Sequence, residues 1–266
     1  MKKIKTFLVT LLLVISVFPL SAFAGEDSKT VTVRIEGKEK TYFYGKVTTA
    51  AENVAELMKE VSEKNDSVTV TMESGQYGSY ITQINDDKAG SVEPVFYDGW
   101  SDLINGESPS VGIDEQKIKD GDVVVFYYSD EFGSHGFARP VADTKDIADG
   151  IIIFTTDGYD ENYNPVTLPV EGATVTWDKS EYITDKDGRI VIAKEELTKG
   201  EHSVQISKTA EDGMPLVLRF ADDYKITVEK PEDVESGENN IAVYSVLLVI
   251  SAFVIAVTGK KRVYEK

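Results

Sequence analysis

Nucleophilic catalysis needs an activating base beside the nucleophile, and this chain has no cysteine and only two histidines, His135 and His202, neither in a recognisable catalytic context. Carboxylates are abundant, but no spacing among them singles out an acid/base pair. The sequence has neither a GxxxxGK loop to cradle phosphates nor an HExxH pair. These residues describe a protein that is not an enzyme and has no resident cofactor. His135 has no neighbouring histidine or cysteine and reads as a solvated loop residue rather than the centre of a metal site. The stretch Asp185-Lys-Asp-Gly188-Arg-Ile190 looks like the middle of an EF-hand, but that register puts Ile183 at the first ligand position and Lys194 at the bidentate one, so a plain turn is expected.

Chemistry by contact is better represented. Tyr77, Tyr80, Tyr97 and Trp100 are large, rigid side chains that could form an exposed platform over a flat ligand at small entropic cost. Aromatic residues are also favoured in strands, so the same four could be the filling of a small β domain. Exposure beside Gly75 to Tyr80 favours the platform; burial of Tyr80 and Trp100 favours the filling.

The elements that must position them follow from periodicity. Val31 to Ile35 alternates as a strand, and Thr41 to Tyr44 is its hairpin partner. Thr49 followed by Glu52 has capping-box spacing, and Val54, Leu57, Met58 and Val61 recur at helical spacing, which predicts one amphipathic helix ending near Asn65. Val68 to Met72 and Gly75 to Ile84 follow as strand segments. Asn105-Gly106 is a turn after the segment Trp100 to Ile104. Val123 to Tyr128 is six β-branched or aromatic residues in a row, the composition of a strand covered on both faces.

The order Gly-x-Tyr-Ile-x-x-Ile, Gly-Trp, Asn-Gly and Lys-x-Gly-Asp-Val-Val resembles the DUF4430 family, the transcobalamin-like C-terminal domain, over about residues 31–130. The resemblance implies a β-grasp-like α+β domain, with one helix on a small mixed sheet, and cobalamin or another corrinoid as a ligand. In transcobalamin-type carriers a helical barrel supplies much of the contact with the corrinoid; this sequence has no such barrel, so a partner protein would supply the other face.

Residues 131–149 carry Gly133, Gly136 and Pro140 without a sustained apolar period and read as a linker. From 150 to 229 short strands recur at regular spacing, Leu216 to Phe220 among them, the pattern of an all-β immunoglobulin-like sandwich. Pro169-x-x-Gly-Ala173-x-Val175, Thr184-Asp185-x-x-Gly188 and Leu197-x-x-Gly200-x-His202 are similar to prealbumin-like and carboxypeptidase-regulatory-like sandwiches, which act as spacers or adhesive units. Collagen-adhesin-type isopeptide crosslinks need a lysine early in the first strand, and the segment Ile151 to Thr155 has none.

The ends suggest a location. Lys2, Lys3 and Lys5, an apolar run and Ala22-Phe-Ala24 predict a signal peptide over residues 1–24, leaving a mature first domain at 25–130. An acidic spacer at 230–240 precedes the uncharged run from Ile241 to Thr258, a transmembrane helix over 241–259, and a basic tail at 260–266 that the positive-inside rule keeps cytoplasmic. This resembles Gram-positive surface proteins, although no Leu-Pro-x-Thr-Gly signal precedes the apolar run. The expectation is a single-pass membrane protein with its bulk outside the cell. The formal charge of −18 argues against nucleic-acid partners. Two functions are open: a cell-surface binding protein for a corrinoid or similar flat ligand, or an adhesin or stalk meeting a protein or glycan.

Overall fold

The computed structural model describes residues 28–92, 97–130 and 136–229. The expected signal peptide, acidic spacer, transmembrane run and basic tail lie outside these residues, as does His135. Among the described residues no helix is long and apolar enough to cross a membrane.

The described residues are mostly β with one α-helix, as expected for the two domains. The first sheet is built from β1 (Lys29–Glu36), β2 (Thr41–Thr49), β6 (Gly99–Ile104) and β7 (Val123–Ser129) in the order β2-β1-β7-β6. The β1–β7 pairing is parallel, and the other two are antiparallel. Between them the chain forms α1 (Val54–Lys64) and a small antiparallel sheet of β3 (Val70–Gly75), β4 (Gly78–Ile84) and β5 (Asp87–Lys88).

Strand β7 has no polar face because both its faces are covered. Val124 and Phe126 join Val31, Val33 and Ile35 of β1 and the buried helix face of Val54, Leu57, Met58 and Val61. Val125 and Tyr127 point the other way, with Leu103, against Phe137 and Leu218 from later in the chain. Each fully buried aliphatic or aromatic side chain contributes about 1.5–3 kcal/mol.

The helix cap lies four residues beyond the expected one. Asn53 is the N-cap, its Oδ1 accepting from Glu56 N at 2.9 Å, while the Glu56 carboxylate accepts from Glu52 N at 2.7 Å. Thr49 instead uses its hydroxyl to accept from Ala51 N in the preceding turn. Asn53 wins because its short carbonyl reaches the free N–H three residues on.

The second unit is a β-sandwich. One sheet has the order β10-β9-β13, with β8 also on β9; these are β8 (Val141–Asp143), β9 (Ile151–Tyr159), β10 (Pro165–Pro169) and β13 (Arg189–Val191). The other has the order β12-β11-β14-β15, from β11 (Thr174–Trp177), β12 (Ser180–Ile183), β14 (Gly200–Ser207) and β15 (Lys225–Val228). Phe154, Trp177, Ile190, Val204 and Ile226 fill the space between them. His202 is part of this filling: it stacks on Trp177, and its ring nitrogens lie 2.7 Å from Asp178 Oδ2 and 2.7 Å from Thr198 O. The Asp185 turn is closed by its own carboxylate, which accepts from Asp187 N and Arg189 N.

Two segments behave differently from their sequence pattern. Residues 136–149, expected to be linker, carry β8 and a 3-10 turn at Ile147–Asp149 whose Ile147 is in the sandwich core. Leu216 to Phe220, expected as a strand, is irregular: Val217 bridges to Ala138, and Leu216 N donates to Lys208 O at 2.8 Å. Its side chains diverge: Val217 and Phe220 enter the sandwich core, Leu218 packs under β7, and Arg219 reaches Glu36 of β1.

Candidate functional site

The β3–β4 hairpin projects Tyr77 from its tip and Tyr80 from its first turn of strand, 82% and 48% exposed. The tip is held rigidly from one side. Ile113 N donates to Ser79 O at 2.9 Å, and Ser79 N donates to the Asp114 carboxylate at 2.7 Å. The backbone bond from Ser79 holds the Asp114 carboxyl below its ordinary range. The two chains approach so closely that a Cβ on Gly112 would lie 2.7 Å from Gly78 Cα and 2.8 Å from Tyr77 O. Only glycine fits there. Val111, 45% exposed, adds an apolar side chain on the docked loop.

Trp100 does not join this tip. Its indole N–H donates to Asp87 O at 2.9 Å, and its ring packs edge-on to Tyr128 (5.4 Å) and tilted to Tyr42 (6.5 Å). Asp87 pairs with Ile84 at the far end of β4, about 20 Å along the strand from Gly78 at the usual rise per residue. Tyr97 is exposed on the chain leading into β6. No ring contact links Tyr77, Tyr80 or Tyr97 to one another or to Trp100 among the described residues. The four candidates therefore divide: Tyr77 and Tyr80 share a presented hairpin, Tyr97 stands apart, and Trp100 is largely structural.

The polar groups around Trp100 are committed too. Asp87 accepts from Lys38 N and from the Tyr42 hydroxyl, both at 2.8 Å. Asp98, buried, accepts from Ser91 N, Val92 N and the Tyr128 hydroxyl. Burial first, then the hydrogen bond to a carboxylate, pushes both phenols above their ordinary range, so they stay neutral. Such groups fix side chains rather than exchange protons with a ligand. No group of three or more metal-ligating acids, histidines or cysteines occurs among the described residues.

Sequence reasoning missed the loop from Val111 to Ile118, which carries Gly112, Asp114 and Gln116. Its lack of periodicity hides the fact that it docks the hairpin. Only Gly112, beside a serine- and proline-rich stretch, hinted at a close approach.

Residues 51–130 match the family model described as "Domain of unknown function (DUF4430)". The match is to the family that the motif order resembles, and it covers the first unit from the start of the helix segment to the end of β7. Among solved structures, a protein from Ruminococcus gnavus described as "a putative metal binding protein" is 24% identical with a TM-score of 0.32, over 38% of this chain and 96% of that one. Haptocorrin in complex with Cbi is 23% identical with a TM-score of 0.35, over 41% of this chain and 26% of haptocorrin. This chain thus spans about a quarter of haptocorrin's length. No curated protein matches the chain.

Proposed function

We propose that this is a non-catalytic binding protein whose DUF4430 domain captures a small molecule on the β3–β4 hairpin. The observation that carries this reading is the exposure of Tyr77 and Tyr80 on a tip locked by the Gly78–Gly112 contact. Rigid aromatic rings lose little entropy on contact, and a preorganised tip lowers the ordering cost further. A corrinoid or similarly flat, partly apolar ligand fits such a surface, and it is the ligand class that the DUF4430 resemblance implies. Residues 1–24 would direct export of the chain, and residues 241–259 would hold the domain outside the cell on a membrane anchor.

The test is titration of the fragment spanning residues 28–229 with cobalamin and cobinamide, following absorbance and tryptophan fluorescence. Saturable change at micromolar ligand, weakened when Tyr77 and Tyr80 are both alanine, supports capture. No change and no co-elution sinks unaided corrinoid binding.

The adhesin or stalk reading is favoured by a different observation. Arg219 ties the sandwich to the first sheet through buried Glu36, a joint suited to bearing load. It gains if the fragment ignores corrinoids but retains a surface glycan or protein through Tyr77 and Tyr80.

A further inference from the structure

The His202 ring lies in the sandwich between two groups that accept hydrogen bonds and donate none. Its Nδ1 is 2.7 Å from Asp178 Oδ2, and its Nε2 is 2.7 Å from Thr198 O. The other Asp178 oxygen accepts from Ser203 N at 2.9 Å, so the whole carboxylate is used as an acceptor. A neutral imidazole carries one N–H, and either tautomer leaves one of its two contacts as acceptor against acceptor. Imidazolium, with a proton on each nitrogen, satisfies both. The ring is 4% exposed and cannot draw the missing hydrogen from water. It stacks on the Trp177 indole with centroids 4.4 Å apart, an arrangement that attracts a cation.

We propose that His202 is a pH-operated clasp: doubly protonated, it ties the β11–β12 turn at Asp178 to the segment from Ala193 to Thr198, and loss of one proton releases that segment. The Nδ1 proton is the one that stays, because a carboxylate accepts more strongly than a backbone carbonyl. Nε2 then turns a lone pair toward the Thr198 carbonyl, and the two repel.

The segment has few other ties. Glu196 N and Leu197 N donate to Ala193 O and Thr198 N donates to Glu196 O, all within one local turn. It is joined to the sheet by Ala193 N on the Tyr182 hydroxyl at 3.1 Å and by the Trp177 indole N–H on Glu196 O at 3.4 Å. The Glu196 carboxylate accepts from the Ser180 and Tyr182 hydroxyls, and Leu197 packs against the sandwich core.

The other charged groups around the ring are directed elsewhere. Ile226 stands opposite His202 on β15. Glu201 pairs with Lys225 on the far face of β14. Lys179, Lys194, Glu195 and Lys199 are exposed. Hydrogen bonds from Ser180 and then Tyr182 hold the Glu196 carboxyl below its ordinary range, and burial holds the Tyr182 and Tyr224 phenols above theirs. These three keep one charge state over the range in which histidines exchange protons.

The experiment uses the full-length chain without ligand, from about pH 5 to 8. Ring-nitrogen NMR shifts report the protons on His202. Hydrogen exchange at the Leu197 and Thr198 amides, corrected for intrinsic rates, reports the segment. The expected result is imidazolium in acid, the Nδ1–H tautomer in alkali, and a fall in protection of about tenfold between them, the change one pH unit of proton linkage carries. The Ser203 amide, which donates to the retained Asp178 carboxylate, keeps its protection. Asp178→Asn separates the clasp from ordinary packing. Asp178 sits at a φ of 52°, which asparagine adopts readily. The amide oxygen of that variant accepts from Ser203 N while its N–H donates to Nδ1, so a neutral ring keeps Nε2–H on Thr198 O and protection no longer falls in alkali. A neutral Nε2–H ring throughout the range, flat protection in wild type, or an equal fall in Asp178→Asn overturns the proposal. Neither readout uses a corrinoid, so a failed ligand titration leaves this result standing.

Discussion

The guanidinium of Arg219 grips the Glu36 carboxylate through Nε at 3.0 Å and a terminal nitrogen at 2.8 Å, across 183 residues of sequence. The other Glu36 oxygen accepts from Arg34 Nε at 2.7 Å and from the Thr41 hydroxyl at 3.0 Å. Arg219 also donates to the carbonyls of Gly37 and Lys38. One buried acid thus joins two arginines, one from each unit.

Removing Arg219 leaves Glu36 Oε2 buried without its partner, although Arg34 and Thr41 still hold Oε1. Arg219→Ala is expected to cost about 3–5 kcal/mol, the usual penalty for breaking a buried ion pair. Urea unfolding of the 28–229 fragment checks it, and loss under 1 kcal/mol would show that water replaces the guanidinium.

The hairpin tip has its own test. Gly112→Ala places a methyl against Gly78 Cα and Tyr77 O, which are backbone atoms and cannot rotate away. A loss of about 1–3 kcal/mol is expected from such overpacking, along with weaker ligand capture. Gly106, whose added Cβ would meet nothing, serves as the control; alanine there bears only the left-handed backbone cost of about 1–2 kcal/mol and leaves capture intact.

Aromatic substitutions separate binding from folding. Tyr77→Ala and Tyr80→Ala should each change stability by no more than about 0.5 kcal/mol, as exposed positions do. Trp100→Ala removes packing on Tyr42 and Tyr128 and should cost about 2 kcal/mol or more. Chemical denaturation and ligand titration on the same three variants would show opposite rankings. Equal loss of binding in all three would put Trp100 back on the recognition surface.

Global stability should carry the Asp102 signature. Its carboxyl is raised in the fold from 3.8 to about 6, so the folded state holds the proton more tightly than the unfolded chain. The contribution is fully present below pH 3.8 and is lost as pH rises through about 6. The size is on the order of 2–3 kcal/mol, from about two pH units of linkage. Urea midpoints at pH 4.5 and 7.5 in wild type and Asp102→Asn isolate it from the other carboxylates.

Much of the fold was legible locally. Six apolar residues from Val123 announced a strand covered on both faces, Asn105-Gly106 gave a tight turn with both residues at positive φ, and the Val54, Leu57, Met58, Val61 spacing gave the helix. What failed was long-range. Leu216 to Phe220 looks like a strand, yet its residues serve three different surroundings, and no local period encodes that. Phe137, in a stretch with the composition of a linker, stacks on Tyr127 at 5.0 Å because β7 needs a cover on its second face. At the site, exposure of Tyr77 followed from its place at a hairpin tip. Trp100 could not be assigned without knowing that Asp87 would meet its indole.

The parallel pairing of β1 with β7 also sets an order of events. Val33 and Ile35 cannot be flanked on both sides until Val124 and Phe126 exist, and the intervening loop must close first. Such distant pairing slows folding and leaves the first strand exposed as it waits. On a ribosome or at a translocation pore, the N-terminal hairpin would emerge early but stay open along one edge, making it the segment most in need of chaperone cover until residue 129 has followed.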